Sequence, residues 1–102
     1  MLLKQFNEVT QEQVQHCLNV LKEKGDEYVF GEDRLEHFKE AAISQNTHPE
    51  QALYSMLSKH LISLQGMCKH SSGCKARWQE KITDSINYLL LLWALVVEEG
   101  RR

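Results

Sequence analysis

Apolar residues recur along this chain at helical spacing, and the pattern predicts helices almost throughout. Val14, Cys17, Leu18 and Leu21 form the apolar face of a predicted helix from Thr10 to Lys24. Thr10 and Gln13 match a capping box, Val9 and Val14 stand at the staple positions, and Gly25 follows as a C-cap. A second predicted helix runs from Asp33, with Glu36 as box partner, to about Gln45, with Leu35, Phe38, Ala41 and Ala42 inward. Pro49 opens a third, where a missing N–H costs nothing, and Leu53, Met56, Leu57, Leu61, Leu64 and Met67 make its stripe. Trp78 to Glu99 reads as the fourth and longest, free of Gly and Pro. Its second half, Tyr88 to Val97, is apolar on all sides, so it is expected to be covered on all sides, by its own chain or by a second subunit.

The connections carry less signal. Residues 1–9 are expected to form a helical turn or a strap over the core. Tyr28, Val29 and Phe30 are read as an ordered loop, because a lone strand has nothing to pair with. Gln45 to His48 is a turn, and Cys68 to Cys74, CKHSSGC, is a loop with a Gly. The expectation is one all-α domain over residues 1–102, bundle-like, with its helical core at 10–99 and neighbouring helices joined by short loops.

Composition narrows the class. A chain of 102 residues with 42% hydrophobic and 25% charged residues suits a single globular domain. Its net charge of −2 ranks nucleic acid last among partners, since that role favours a basic patch. The apolar run of the last helix is shorter than the ~20 residues of a membrane span. Three cysteines, an odd number, are expected as reduced thiols, which points to a cytoplasmic location.

Three groups of side chains could carry chemistry. Glu80, Asp84 and Asn87 fall at i, i+4 and i+7 and share one face of the last helix. A Glu and an Asp one turn apart can hold Mg²⁺, which takes one or two carboxylates together with substrate phosphates; the plainer alternative is a solvated face paired with Arg77 and Lys81. The second helix offers Asp33, Glu36, His37 and Glu40, with Asp33 and Glu36 also explained as a cap. If that face meets Glu80 and Asp84, four carboxylates converge. Lys59 and His60 form the third group, His60 lying on the apolar stripe, where a histidine is ordinarily a core residue. Arg34 joins them as a phosphate or carboxylate clamp. Cys68, His70 and Cys74 have neither a usual zinc spacing nor a fourth ligand and read as a surface loop.

The segments EDRLEHFKEAA, MLSKHLISLQGM and WQEKITDSINYLLLLWAL together resemble a family of small phage and prophage proteins of Gram-positive bacteria. More distantly they resemble nucleotide-modification-associated domains and the MazG-like all-α nucleoside triphosphate pyrophosphatases. The resemblance implies a four-helix, dimeric fold that holds Mg²⁺ against a nucleotide. Glu36 and Glu40 stand for the family's first acidic helix. Glu80 and Asp84 stand for its second, at i, i+4 where that family has i, i+3. On this reading Glu36, Glu40, Glu80 and Asp84 bind the metal, and Glu80 and Asp84 are catalytic. Arg34, Lys39, Lys59, His60 and Asn87 bind the substrate. The alternative is a non-enzymatic homo-oligomer that binds a host or phage protein.

Overall fold

A computed structural model describes residues 1–28 and 33–100, the side chains of residues 27 and 28 excepted. It contains four helices: α1 (Leu3–Tyr28), α2 (Glu36–Ser44), α3 (Pro49–His70) and α4 (Lys75–Glu98). No strand occurs among the described residues. Val29 and Phe30 of the expected aromatic loop lie outside them, while Tyr28 is the last residue of α1.

Helix α1 starts seven residues earlier than its capping signature suggests. Leu3 to Val9 contains no helix breaker, so the helix runs on through Thr10. The Thr10 hydroxyl, freed from capping, donates back to the carbonyls of Phe6 (3.0 Å) and Asn7 (3.2 Å). Gln13 leaves the box as well and reaches α4. Its Nε2 donates to Thr83 Oγ1 at 2.8 Å, and its Oε1 accepts from Gln79 Nε2 at 3.1 Å. The first turns of α1 are therefore no strap: Leu2, Leu3 and Phe6 stand exposed.

Helix α2, by contrast, begins later than expected, at Glu36, because Asp33 spends its carboxylate on a turn. Asp33 Oδ1 accepts from the Leu35 N–H at 2.9 Å, so Leu35 becomes the N-cap residue and no side chain caps the helix. Helix α2 ends at Ser44 with Gln45 as its C-cap residue, and Asn46 beyond it lies in the left-handed region (φ 52°), which lets the Thr47 N–H close on the Ala42 carbonyl at 2.9 Å. Pro49 opens α3 as expected. That helix continues to His70, past the expected end at Met67, and left-handed Ser71 and Gly73 turn the chain into α4. Cys74 is the α4 N-cap residue, so this helix starts three residues before Trp78.

Helix α4 is central, with α3 on one side and α1 on another, and α2 lies on α3. Leu35, Phe38, Leu53 and Leu95 form the buried core, ringed by Met56, Tyr88, Leu91, Leu92 and Ala94. Phe38 meets Tyr88 edge to face, with centroids 6.4 Å apart. The α1–α4 contact is of a different kind, built on Cys17 and on the polar side chains of Gln13, Thr83 and Asn87. Lys39 ties the α2 start to the α4 end, donating to Asp33 Oδ2 at 2.7 Å and to Glu98. Those carboxylates, Asp33 first, raise the Lys39 ammonium to about 12. Lys39, followed by the Leu35 N–H, lowers the Asp33 carboxyl. The clamp thus stabilises from above the ordinary Asp range to below the ordinary Lys range; it is lost in acid as Asp33 protonates and in base as Lys39 deprotonates. All three groups are solvated, so its contribution is small.

Candidate functional site

Beside α4 the chain encloses a hollow of about 250 Å³. Asp84, Asn87, Tyr88 and Leu91 supply its α4 wall, at the i, i+3, i+4 and i+7 positions that bring side chains onto one helical face. Leu21 and Lys24 enter from α1, Arg34 from the turn before α2, and His37 and Phe38 from α2 itself. The floor is apolar and aromatic; the polar groups are few and of opposed charge.

The polar groups are organised around Asp84. Lys24 Nζ donates to Asp84 Oδ1 at 3.3 Å, and His60 Nδ1 lies 3.7 Å from Asp84 Oδ2. The His60 ring rests on Tyr88, with centroids 5.2 Å apart. One turn along, Asn87 is buried and its Nδ2 donates to the Cys17 carbonyl at 3.0 Å. A carbonyl only accepts, so this bond fixes which end of the amide faces α1. The other end, Oδ1, is buried with no hydrogen-bond partner among the described residues. An unmatched buried acceptor costs about 1–3 kcal/mol.

Arg34 is held in place by the absence of a side chain. A Cβ on Gly25 would lie 2.9 Å from Arg34 Nε and 3.4 Å from its Cδ. Gly25 is therefore not the C-cap its position suggests. It sits inside α1, where it costs about 0.8–1 kcal/mol relative to Ala, and the arginine lies across it. Gly25→Ala is expected to raise the melting temperature by a few degrees through helix propensity and to displace Arg34. A melt combined with a ligand titration checks both; a destabilised Gly25→Ala would show that the arginine cannot yield.

The hollow gathers some of the expected site residues and leaves others out. Arg34, Asp84 and Asn87 line it, and His60 stands behind Asp84. Lys39 belongs to the clamp with Asp33 and Glu98, and Lys59 is exposed on α3. Glu36 and Glu40 are exposed on α2. Glu80 is exposed too, lining a shallower neighbouring hollow with His16, Gln79 and Thr83; Lys24 and Asp84 border both. Among the described residues no three His, Cys, Asp or Glu side chains are grouped closely enough to hold a metal ion. Cys17 is a buried free thiol, and Cys68 and Cys74 are exposed free thiols.

The sequence pattern marks His37, with Asp33 and Glu40, on one face of the second helix, but it does not mark Lys24 and Phe38 as site residues. Lys24 was hidden by reading Gly25 as a helix end, although its i+3 spacing from Leu21 puts both on one face. Phe38 reads as a core residue in the sequence, and the core and the cavity share it.

No protein-family model, curated protein or solved structure matches this chain. No helix among the described residues is long and apolar enough to cross a membrane.

Proposed function

We propose that the chain is a small helical nucleotide-binding protein and that the hollow beside α4 takes the nucleotide. One observation carries the reading: two cations, Lys24 and Arg34, and the Asn87 side chain line one cavity walled by Phe38, Tyr88, Leu21 and Leu91, and Asn87 Oδ1 is buried without a hydrogen-bond partner among the described residues. A flat ring suits the aromatic wall. An N–H on that ring would satisfy Asn87. Phosphates at the rim suit a guanidinium, which offers paired donors, and an ammonium beside it. The volume lies just below the usual ~300–1,000 Å³ of ligand pockets and the hollow is partly open to solvent, so it has room for the base and would leave the phosphates in water. The resemblance to MazG-like enzymes points to the same ligand class.

The proposal is one of binding. Among the described residues a single carboxylate, Asp84, lines the cavity, with Lys24 and His60 beside it. Mg²⁺ arriving with the phosphates would take Asp84 as its protein ligand. Pyrophosphohydrolysis is the Mg²⁺-dependent arm of the test.

Thermal melts against the common ribo- and deoxynucleoside triphosphates, with and without Mg²⁺, decide the matter. A nucleotide at ~100 times its Kd is expected to add about 2.7 kcal/mol of stability. Arg34→Gln is expected to remove most of that shift and leave the unliganded melt in place. If no nucleotide shifts the melt, or if the shift survives in Arg34→Gln, the cavity is not the site.

A further inference from the structure

The side on which α1 docks extends further than the docking itself. Leu2, Phe6, Val9, Gln13 and Cys17 follow one another at three- and four-residue steps and share one side of the helix. The later part of that side meets α4: Gln13 reaches Thr83 and Gln79, and Cys17 is buried, its carbonyl accepting from Asn87. The earlier part is uncovered: Leu2, Phe6 and Val9 are 81%, 53% and 47% exposed, and Leu3 beside them 73%. Among the described residues α1 packs on no helix but α4. Gln13–Thr83 and Cys17–Asn87 advance by four residues on both helices, so α1 and α4 run parallel. The apolar start of α1 is therefore at the same end of the molecule as the α4 start and the α3–α4 turn. That turn is basic. Residues 51–79 contain Lys59, Lys69, Lys75 and Arg77 and none of the 14 acids of the chain. Lys69, His70, Lys75 and Arg77 are all exposed.

We propose that this end of the molecule docks on an anionic lipid bilayer. A bilayer interface takes apolar side chains into its acyl boundary and draws cations to its phosphates. This end supplies both: Leu2, Leu3, Phe6 and Val9 for the first, Lys69, Lys75 and Arg77 for the second. Glu8 and Glu12 stand on another side of α1, so lipid contact does not bury them. The acid-free turn selects an anionic partner, and the shape of the apolar group selects lipid over an acidic protein segment. Met1, Leu2 and Leu3 are consecutive and all exposed, so they point to different sides; a fluid medium closes round them, whereas a protein groove covers one side. Nucleic acid would leave the apolar group in water. The expectation that Tyr88 to Val97 is covered on all sides is not met by its own chain, since Leu89, Leu90, Trp93 and Val97 are exposed. That stripe has no Lys or Arg from Ile82 to Val97, so the charge argument leaves it outside the docking surface. With a short apolar segment and three cations, binding is expected to be reversible and salt-sensitive. This inference is independent of the nucleotide reading.

Co-sedimentation of the full chain with vesicles tests it, using phosphatidylcholine alone and phosphatidylcholine mixed with phosphatidylglycerol. The expected result is binding to the mixed vesicles that falls at least ~10-fold without the anionic lipid and by a similar factor in high salt. Lys75→Gln combined with Arg77→Gln is expected to lower the partition coefficient roughly 25-fold, about 5-fold for each charge. Phe6→Glu is expected to lower it at least ~10-fold. Ile43→Glu, a change at an 82% exposed apolar residue on α2, is expected to leave it unchanged. Brominated lipid reads the orientation: it is expected to quench Trp78, in the first turn of α4, in the Trp93→Phe background and to spare Trp93 in the Trp78→Phe background. Circular dichroism shows whether each variant is folded; should Phe6→Glu or the double variant unfold, the quenching pattern decides alone. No binding to the mixed vesicles would overturn the proposal and leave this end to an acidic protein segment. Binding indifferent to lipid charge, full binding by a folded Phe6→Glu or a folded double variant, equal loss in Ile43→Glu, or quenching of Trp93 instead of Trp78 would each overturn it as well.

Discussion

Leu53→Ala is expected to destabilise the fold by about 2–5 kcal/mol, enough to consume much of the stability of a domain this small. Leu53 has no exposed surface and lies in the core cluster with Leu35 and Phe38 from the α2 side and Leu95 from α4. Its removal empties a place where α2, α3 and α4 meet. The cost combines lost transfer energy with a cavity that rigid helices on two sides cannot close. Urea denaturation at one fixed protein concentration measures it, since a dimer would make apparent stability depend on concentration. A loss below about 1 kcal/mol would mean that α2 and α4 close over the gap and that the core is far looser than its burial implies.

Asn87→Leu is expected to do two opposite things. The substitution removes a buried acceptor that has no partner among the described residues, together with the donor to the Cys17 carbonyl. Removing the unmatched acceptor is a gain and losing the bond to the Cys17 carbonyl is a loss, so the net change is expected to stay within about 1 kcal/mol of the parent. The same change deletes the acceptor assigned to the ring N–H of the nucleotide, so the nucleotide-dependent melt shift is expected to disappear. A variant that is as stable as the parent, or more so, and no longer binds would mark Asn87 as a residue kept for the ligand. A variant that loses several kcal/mol would instead make the Asn87–Cys17 bond the main tie between α1 and α4.

Much of the fold was legible in the sequence because its signals were periodic and long-range in effect. Phe38, Ala42, Leu53, Leu57 and Met67 are buried where the helical spacing placed them, and Pro49 starts its helix. The misplaced boundaries of α1 and α2 came from local motifs. Thr10 with Gln13, Asp33 with Glu36, and Gly25 each match a terminus signature, yet each has another use. Thr10 bonds back within α1, Gln13 reaches Thr83, Asp33 holds the turn and Lys39, and Gly25 makes room for Arg34. A capping signature competes with helix continuation, and continuation wins where no breaker precedes it. The site was half legible for a related reason. Asp84 and Asn87 were found through their spacing on α4. Carboxylates spaced along one helix form a pattern in the sequence that cations from separate elements do not. Lys24 and Arg34 come from different elements and meet only once α1 has folded past Gly25. The exposed side of α4 was legible as composition, all-apolar from Leu89 to Val97, but not as geometry: only the packing of α1 and α3 shows which stripe remains uncovered.

The most direct test of the nucleotide reading is a ¹H–¹⁵N NMR titration that follows the Asn87 side-chain amide and the Arg34 Nε–H as the nucleotide found by melting is added. The account expects both to shift together, with backbone changes confined to Leu21, Lys24, Arg34, Phe38, Tyr88 and their neighbours. Shifts that leave Asn87 and Arg34 unmoved, or that gather elsewhere on the helices, would contradict it.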